Sequence, residues 1–550
     1  MRPAAGALAL VVACGGPPPS ASKTPTDSGE GAGGDGGGVG DGAGDGEDTD
    51  PPALECAPLR FTLATHILQE QLPRRVEMIQ AEHGAGLGDF DGDGDLDIFV
   101  AYEGGSILAM NDGDANFTLD DSWTLDGEPL PAATVANVTD IDFDGDLDVY
   151  LGRSRAGPDL MLTQVAPGAF TAAPMPGTET GTRAAAWGDV DGDGDLDVMV
   201  AARPWDVTED DFRSGTIDGQ PNHLLLNEGG VWVNADHQLP VEDNHGVTFQ
   251  VALFDADGDG DLDAYNANDA GYWVVPNQLW RNDGTGLFTV DPTCGCDRPM
   301  YAMGCVIGDW NDDQLPDVYV SNIGPQLLLQ QDEAGWVDMT LASGAMIPQL
   351  PEHMTSWGIA NTDLDRDGLD DLWVTFGALA SGTEDIFGDL PGTEDGWYDA
   401  AQQQDIVLRG LPGGRWQVED RLGLEVSPGR QRSVVFGDLD GDGDHDAVVV
   451  GKHEVRVWRT EGGCPTGLQI RVDGPAHNPH GHHTRVRVTA GGQGATRWLI
   501  PERMHGSDAP ELLFGLGGRA AADRVEVLLP DGSTFTQDDV PAGVLVIPWR

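Results

Sequence analysis

The stretch GDFDGDGDLDIF, Gly88 to Phe99, puts Asp89, Asp91, Asp93, Asp95 and Asp97 at alternate positions of nine residues. So much like charge in so short a segment is unfavourable unless something positive answers it. Numbered from Asp89, carboxylates stand at positions 1, 3, 5 and 9, with Gly94 at 6 and the carbonyl of Asp95 at 7. Hard oxygen donors at alternating positions, with a glycine where the loop turns sharply, suit Ca²⁺. Mg²⁺ would keep more of its water, and the stretch has no imidazole or thiolate to favour a transition metal.

The stretch recurs. Copies begin at Asp89, Asp140, Asp189, Asp255, Asp309, Asp363 and Asp438, spaced by 51, 49, 66, 54, 54 and 75 residues. Small and apolar segments such as AAAWGD and SVVFGD precede the copies. Apolar runs such as LDIFVAY and PDVYVSN follow, four to six residues long and rich in Val, Tyr and Phe, which are strand lengths and strand compositions. Most copies add a third run, as in NQLWRNDGTG, then a turn and a fourth, as in GLFTVD. Four strands per repeat of about 50 residues make a propeller blade, and seven blades close a ring without open edges. The expected fold is all-β: a seven-bladed β-propeller over residues 54–463, followed by a small β-sandwich-like module over 464–550. The seventh repeat lacks a fourth strand after EVRVWR, and LRFTLATHI, Leu59 to Ile67, is the candidate to supply it. Cys56 would then meet Cys464 in a disulfide.

An EF-hand is excluded because position 12 of the first copy is Val100 rather than a bidentate Glu, and because the flanks read as strands. Asp140, Asp142, Asp144 and Asp148 repeat the ligand spacing, as do Asp189, Asp191, Asp193 and Asp197, and Asp255, Asp257, Asp259 and Asp263. Asp363, Asp365, Asp367 and Asp371, and Asp438, Asp440, Asp442 and Asp446, repeat it again. Asp146, Asp195, Asp261 and Asp444 occupy position 7, as Asp95 does. The fifth copy departs: Asp309, Asn311, Asp313 and Asp317 carry Gln314 where the others have glycine, so its site is expected to be the weakest or most distorted. Six to seven Ca²⁺ sites follow.

Lys and Arg number 29 against 93 Asp and Glu, a net charge of −64, which excludes nucleic acid and anionic membrane surfaces as partners. Arg2 and the apolar run Ala4 to Ala13 read as a signal peptide over residues 1–13, ending in VVAC, which resembles a bacterial lipobox with Cys14 as the lipidated residue. Residues 14–53 are nearly all Gly, Asp, Ser, Thr and Pro, a tether that cannot bury a core and would span roughly 35 Å root-mean-square. The expectation is an exported protein held to the cell envelope by its N-terminal lipid alone. Cys294, Cys296 and Cys305 are expected to give a local disulfide to Cys305, since CGC is neither a zinc nor a redox motif.

The repeat resembles the FG-GAP or VCBS repeat of integrin α-subunit propellers and bacterial surface proteins, over residues 60 to 463. In the tail, TRVRVTAGG, LLFGLGG and DRVEVLLPDGS resemble the ASPIC/UnbV module, with Leu513 and Leu529 where that module usually has His and Trp. Together they resemble the cartilage acidic protein 1 family. That implies an architecture and no particular activity.

In such a ring the aspartate loops share one face and the long insertions the other, where function usually sits. The insertions carry Trp205, Phe212, Tyr272, Trp273, Trp397 and Tyr398 among carboxylates, suited to a surface glycan or a protein ligand or, equally, to packing their own loops. The histidines of His477 to His483 read as a solvated loop ahead of a Zn²⁺ site. The leading function is a calcium-stiffened surface binding or adhesion protein. Two others stay open: a polysaccharide- or phosphoester-cleaving enzyme using paired carboxylates such as Asp210 and Glu384, and a structural surface-layer component.

Overall fold

The computed structural model describes residues 55–72, 83–142, 144–154, 157–204, 216–332, 335–347, 355–377, 403–419, 422–424, 430–452 and 454–550. Nearly all regular structure in them is strand. The helical turns described are Gln69–Gln71, Asp236–Gln238 and Thr340–Ser343, and among the described residues no helix is long and apolar enough to cross a membrane.

Each aspartate stretch joins the first two strands of an antiparallel sheet. In the first repeat His83–Gly88 pairs with Asp97–Tyr102, which pairs with Ile107–Met110, and that with Thr118–Asp120. Seven such four-stranded cores are described, two of them extended by short extra strands. The first two strands of a sheet are buried along their whole length, as both faces of each sheet are covered by its neighbours. Seven apolar clusters each span two consecutive repeats; Phe90, Phe99, Leu151 and Phe170 join the first to the second, and Leu87, Val100, Val448 and Val457 join the seventh back to the first. The inner strands touch in sequence, and Gln431–Gly437 touches His83–Gly88, so the ring closes on itself.

The closing strand is Ala57–Leu68, paired antiparallel to Glu454–Gly463 with Leu63 opposite Trp458. The pairing matches the strand expected at Leu59 to Ile67, and Cys56 is joined to Cys464 beside it. The other cysteines depart from expectation. Cys294 bonds to Cys296, across Gly295 at a φ of 74° that turns the two thiols together, while Cys305 is free. Cys305 begins an inner strand and its side chain belongs to the apolar core, where burial pushes the thiol up to about 12.

Beyond Cys464 the chain forms two further sheets. One holds Leu512–Gly515, Gly467–Asp473 and Gly543–Pro548; the other holds Gln493–Trp498, Arg485–Ala490, Ala521–Leu528 and Thr534–Pro541. They share a core of Leu468, Ile470, Val486, Val525, Phe514 and Ile547, to which Leu529 contributes. A hairpin from this module, Glu502–Arg503 and Gly506–Ser507, enters the axis of the ring and pairs with the first inner strand, Gly86 opposite Ser507. Glycine makes the room: a Cβ on Gly84 would meet the His505 carbonyl at 2.0 Å, and one on Gly506 the Ala85 carbonyl at 2.0 Å.

Candidate metal centres

The loop geometry follows from the aspartate at position 1. Asp89 accepts the amides of Gly92 at 2.8 Å, Asp93 at 3.1 Å and Gly94 at 3.0 Å, folding the chain around its carboxylate. Gly94 sits at φ 100° and its counterpart Gly194 at 101°, a region that L side chains avoid. In the fifth loop Gln314 takes that place at φ 70°, a strained position for a side chain, yet its amide still donates to Asp309 at 2.9 Å as Gly94 does to Asp89. The position 5 carboxylate caps position 7: Asp93 accepts the Asp95 amide at 3.0 Å and Asp193 the Asp195 amide at 2.9 Å. In the first, third and fourth loops the side chain at position 7 meets a neighbouring segment. Asp195 accepts the Gly229 amide at 3.0 Å, and the carboxylates of Asp95 and Asp261 lie against Gly113 and Gly284.

This folding gathers acid. One oxygen each from Asp89, Asp91 and Asp97 lies within 4.8 Å of the others, and the same holds for Asp140, Asp142 and Asp148, for Asp189, Asp191 and Asp197, and for Asp363, Asp365 and Asp371. In the fourth loop Asp255, Asp257 and Asp259 make the set.

Position 9 has a second task that its spacing does not announce. Asp97 accepts the Phe90 amide at 3.1 Å and the Asn111 amide at 2.9 Å, tying the loop to the end of the third strand. The same two bonds recur at Asp148 with Ile141 and Gln164, at Asp197 with Val190 and Asn227, at Asp263 with Ala256 and Asn282, and at Asp317 with Trp310 and Gln331. Asp371 and Asp446 complete the series with Leu364 and Gly410, and with Leu439 and Thr460. Burial pushes these carboxyls up, Asp97 and Asp148 to about 7 and Asp197, Asp317 and Asp446 to about 8, with neighbouring aspartates adding to it. Ionised together at neutral pH they are a cost that a cation would relieve.

The seven loops are not equivalent. Just before the third-strand amide donor, repeats one to three have Met110, Thr163 and Leu226, whereas repeats four, six and seven have Arg281, Arg409 and Arg459. Arg281 lies 2.6 Å from Asp263 and 3.5 Å from Asp257; Arg409 pairs with Asp365 and, at 3.3 Å, Asp367; Arg459 lies 3.5 Å from Asp440. Among the described residues no arginine ion pair reaches the first or third loop.

The C-terminal module adds a second difference. Its Arg497 pairs with Asp370 and lies 3.6 Å from Asp363, whose carboxylate also accepts the Gly515 amide at 2.8 Å. Arg487 reaches Asp312 at 2.7 Å, Arg485 donates to Gln314, and Gln469 donates to Asp438 at 2.9 Å. The fifth, sixth and seventh loops therefore double as the seat of the module. Sequence reasoning missed Arg281, Arg409, Arg459 and Arg497, although the first three share one register of the third strand and were visible as LWRN, VLRG and VWRT.

Tyr272 and Trp273 are exposed by 58 and 49 % and cluster with Tyr301, centroids 5.5 Å from it in both cases. Trp205, Phe212, Trp397, Tyr398, Asp210, Glu384 and Cys14 lie outside the described residues. The histidine loop is not solvated as expected: His482 is buried 3.0 Å from Glu502, and the His483 imidazole meets the Trp187 carbonyl at 2.6 Å, because the loop is pressed between module and ring.

Comparison with known families finds FG-GAP-like repeats at residues 89–151, 140–200 and 255–320, and an ASPIC and UnbV segment at 474–547. The chain is thus an all-β propeller carrying FG-GAP-like repeats, with an ASPIC/UnbV module. The match does not extend to the cartilage acidic protein 1 family as a whole. No curated protein matches. Among solved structures, the chain is similar to an Agrocybe aegerita lectin recognising non-reducing terminal N-acetylglucosamine, at 15 % identity over 63 % of this chain and 81 % of that one, TM-score 0.39. It is similar also to BBS1N in complex with ARL6DN, at 11 % identity over 69 and 93 %, TM-score 0.39. A third is the exotype rhamnogalacturonan lyase YesX, at 12 % identity over 69 and 72 %, TM-score 0.35. At such TM-scores the fold assignment rests on the strands and the repeat matches instead.

Proposed function

We propose that this chain is a calcium-binding surface protein whose ring is a binding platform, exported and held to the cell envelope through a lipid on Cys14. The observation that supports the calcium reading is the convergence of three carboxylates in loop after loop, within 4.8 Å of one another, with a buried position 9 carboxylate in four of the five sets. Positions 1, 3, 5 and 9 would hold the ion with the carbonyl of position 7, and the ion supplies the positive charge that lets these carboxylates ionise together. Its work is structural, since each position 9 carboxylate also ties the loop to the third strand of its sheet. Ligand contacts would belong to the opposite face, where Tyr272 and Trp273 are exposed.

Calorimetric titration of the chelator-treated chain should show several Ca²⁺ equivalents, and saturation should raise the thermal midpoint by about 10 °C or more, because several sites each contribute through binding to the folded state alone. An unchanged midpoint in chelator would remove the calcium reading. Labelling with a radioactive palmitate that is lost on Cys14→Ser tests the anchor.

A further inference from the structure

The C-terminal module sends side chains to the fifth, sixth and seventh aspartate loops. Beside the first, second and seventh loops, ring and module together line a cavity of about 500 Å³, the size of a site for a small organic molecule. The ring contributes Leu87, Leu96, Val138 and Leu147 to its wall, and the module contributes Val472 and Pro510. Most of the other lining positions are glycine or charged.

The charge of this cavity is one-sided. Arg471 is the only arginine or lysine among the lining residues, and its Nε donates to Glu511 at 2.7 Å, so that carboxylate is already answered. Asp89, Asp95 and Asp438 line the same cavity with no further basic side chain beside them there. Asp438 uses one oxygen to accept the Gln469 amide group at 2.9 Å and the Gly443 amide at 3.2 Å. Its other oxygen, Oδ1, is buried and has no hydrogen-bond partner among the described residues. The same holds for Nε2 of His480, which also lines the cavity. Burial first, then the neighbouring His482, push the His480 imidazole down to about 4, so at neutral pH it is uncharged and can offer Nε2 as an acceptor. Two buried acceptors without donors are costly, and they border one largely aliphatic space. Water can serve the acceptors, but only a ligand with an apolar body also covers the walls.

We propose that this cavity binds a small aliphatic amine, its ammonium donating to Asp438 Oδ1 and His480 Nε2 and its hydrocarbon body lying against Leu87, Leu96, Val138 and Leu147. An ammonium brings several donors and the missing positive charge, while the body leaves water for the aliphatic wall. An anion would meet unanswered carboxylates, and a neutral head would leave Asp438 without a counter-charge. The site lies on the aspartate-loop side of the ring, apart from the face assigned to surface ligands. Asp438 is also position 1 of the seventh loop, so an ion held there would weaken the amine.

The test titrates the full-length chain calorimetrically with octylamine, octanol and octanoate, which share a tail and differ in head charge. Octylamine should bind as one equivalent at least about tenfold more tightly than octanol, with octanoate weaker still, and methylamine should bind at least about tenfold more weakly than octylamine. Asp438→Asn should bring octylamine down to the level of octanol, and Leu147→Ala should weaken both about fivefold. Leu147 is only partly buried, so its variant should stay folded even if Asp438→Asn does not. Equal affinity for the three heads, methylamine binding as well as octylamine, uptake of many octylamine equivalents without a saturable first site, or octylamine binding indifferent to Leu147→Ala would each overturn the proposal. Repeating the octylamine titration in calcium and in chelator separates the two readings. Equal binding in both would support this site and argue against an ion at the seventh loop, and tighter binding in chelator would support both.

Discussion

Repeats one and three and repeats four to seven begin from nearly the same nine residues and end in different electrostatic surroundings. In the first and third loops, carboxylates meet carboxylates and backbone amides. In the fourth, sixth and seventh an arginine from the third strand reaches the cluster, and the fifth to seventh loops also receive side chains from the C-terminal module. On the calcium reading proposed above, the motif would serve as a cation site where nothing else answers its charge, while it is a docking handle where the chain supplies its own cation.

The comparison breaks most readily at Arg497, which is buried between Asp370 and Asp363. Arg497→Ala leaves those carboxylates without their partner and should cost about 3 kcal/mol. Proteolysis in native conditions should then release fragments from residues 464–550 first, and resistance equal to the parent would show that the module does not depend on the sixth loop.

Glu511 gives a pH-dependent form of the same question. Burial raises its carboxyl, but His445 and Arg471 outweigh this and hold it at about 2. A depressed folded value stabilises the fold above the unfolded value of about 4.5 and loses that contribution as pH falls toward 2. Glu511→Gln should therefore cost about 2 kcal/mol at pH 7 and progressively less below pH 4.5, read as the difference in denaturant midpoints. A gap constant with pH would assign the loss to packing.

Exchanging the register residue sharpens the contrast further. Met110→Arg should weaken calcium at the first loop about tenfold, and Arg281→Met should strengthen the fourth by a similar factor, each read from calorimetric titration. At the exposed rim of the module, Arg487→Ala should cost at most about 0.5 kcal/mol, because its pair with Asp312 is solvated. A larger loss there would move the weight of docking from the sixth loop to the fifth.

The ring was legible because its causes are local and repeated. Asp and Gly at fixed offsets mark each turn, apolar runs of strand length flank it, and the missing fourth strand after Arg459 pointed back to Leu59 to Ile67. The candidate ligands were legible for the same reason. What escaped reading depends on contacts between distant segments. Nothing near Arg497 signals that it will meet Asp363, and nothing near His505 signals that it will reach the ring axis. The pairing of Cys294 with Cys296 turned on the left-handed conformation of Gly295, which the spacing of Cys294, Cys296 and Cys305 does not reveal. Position 9 lies between these cases: its hydrogen bonds recur in every repeat, and the partly recurring Asn111, Asn227 and Asn282 were their trace.

The bond between Cys56 and Cys464 has a mechanical meaning. A pull on the segment ahead of Cys56 passes through a covalent link directly to residue 464, bypassing the strand Ala57–Leu68. Without that link, the same force would unzip the closing strand from its sheet one hydrogen bond at a time. With it, tension runs around the seam of the ring instead of opening it.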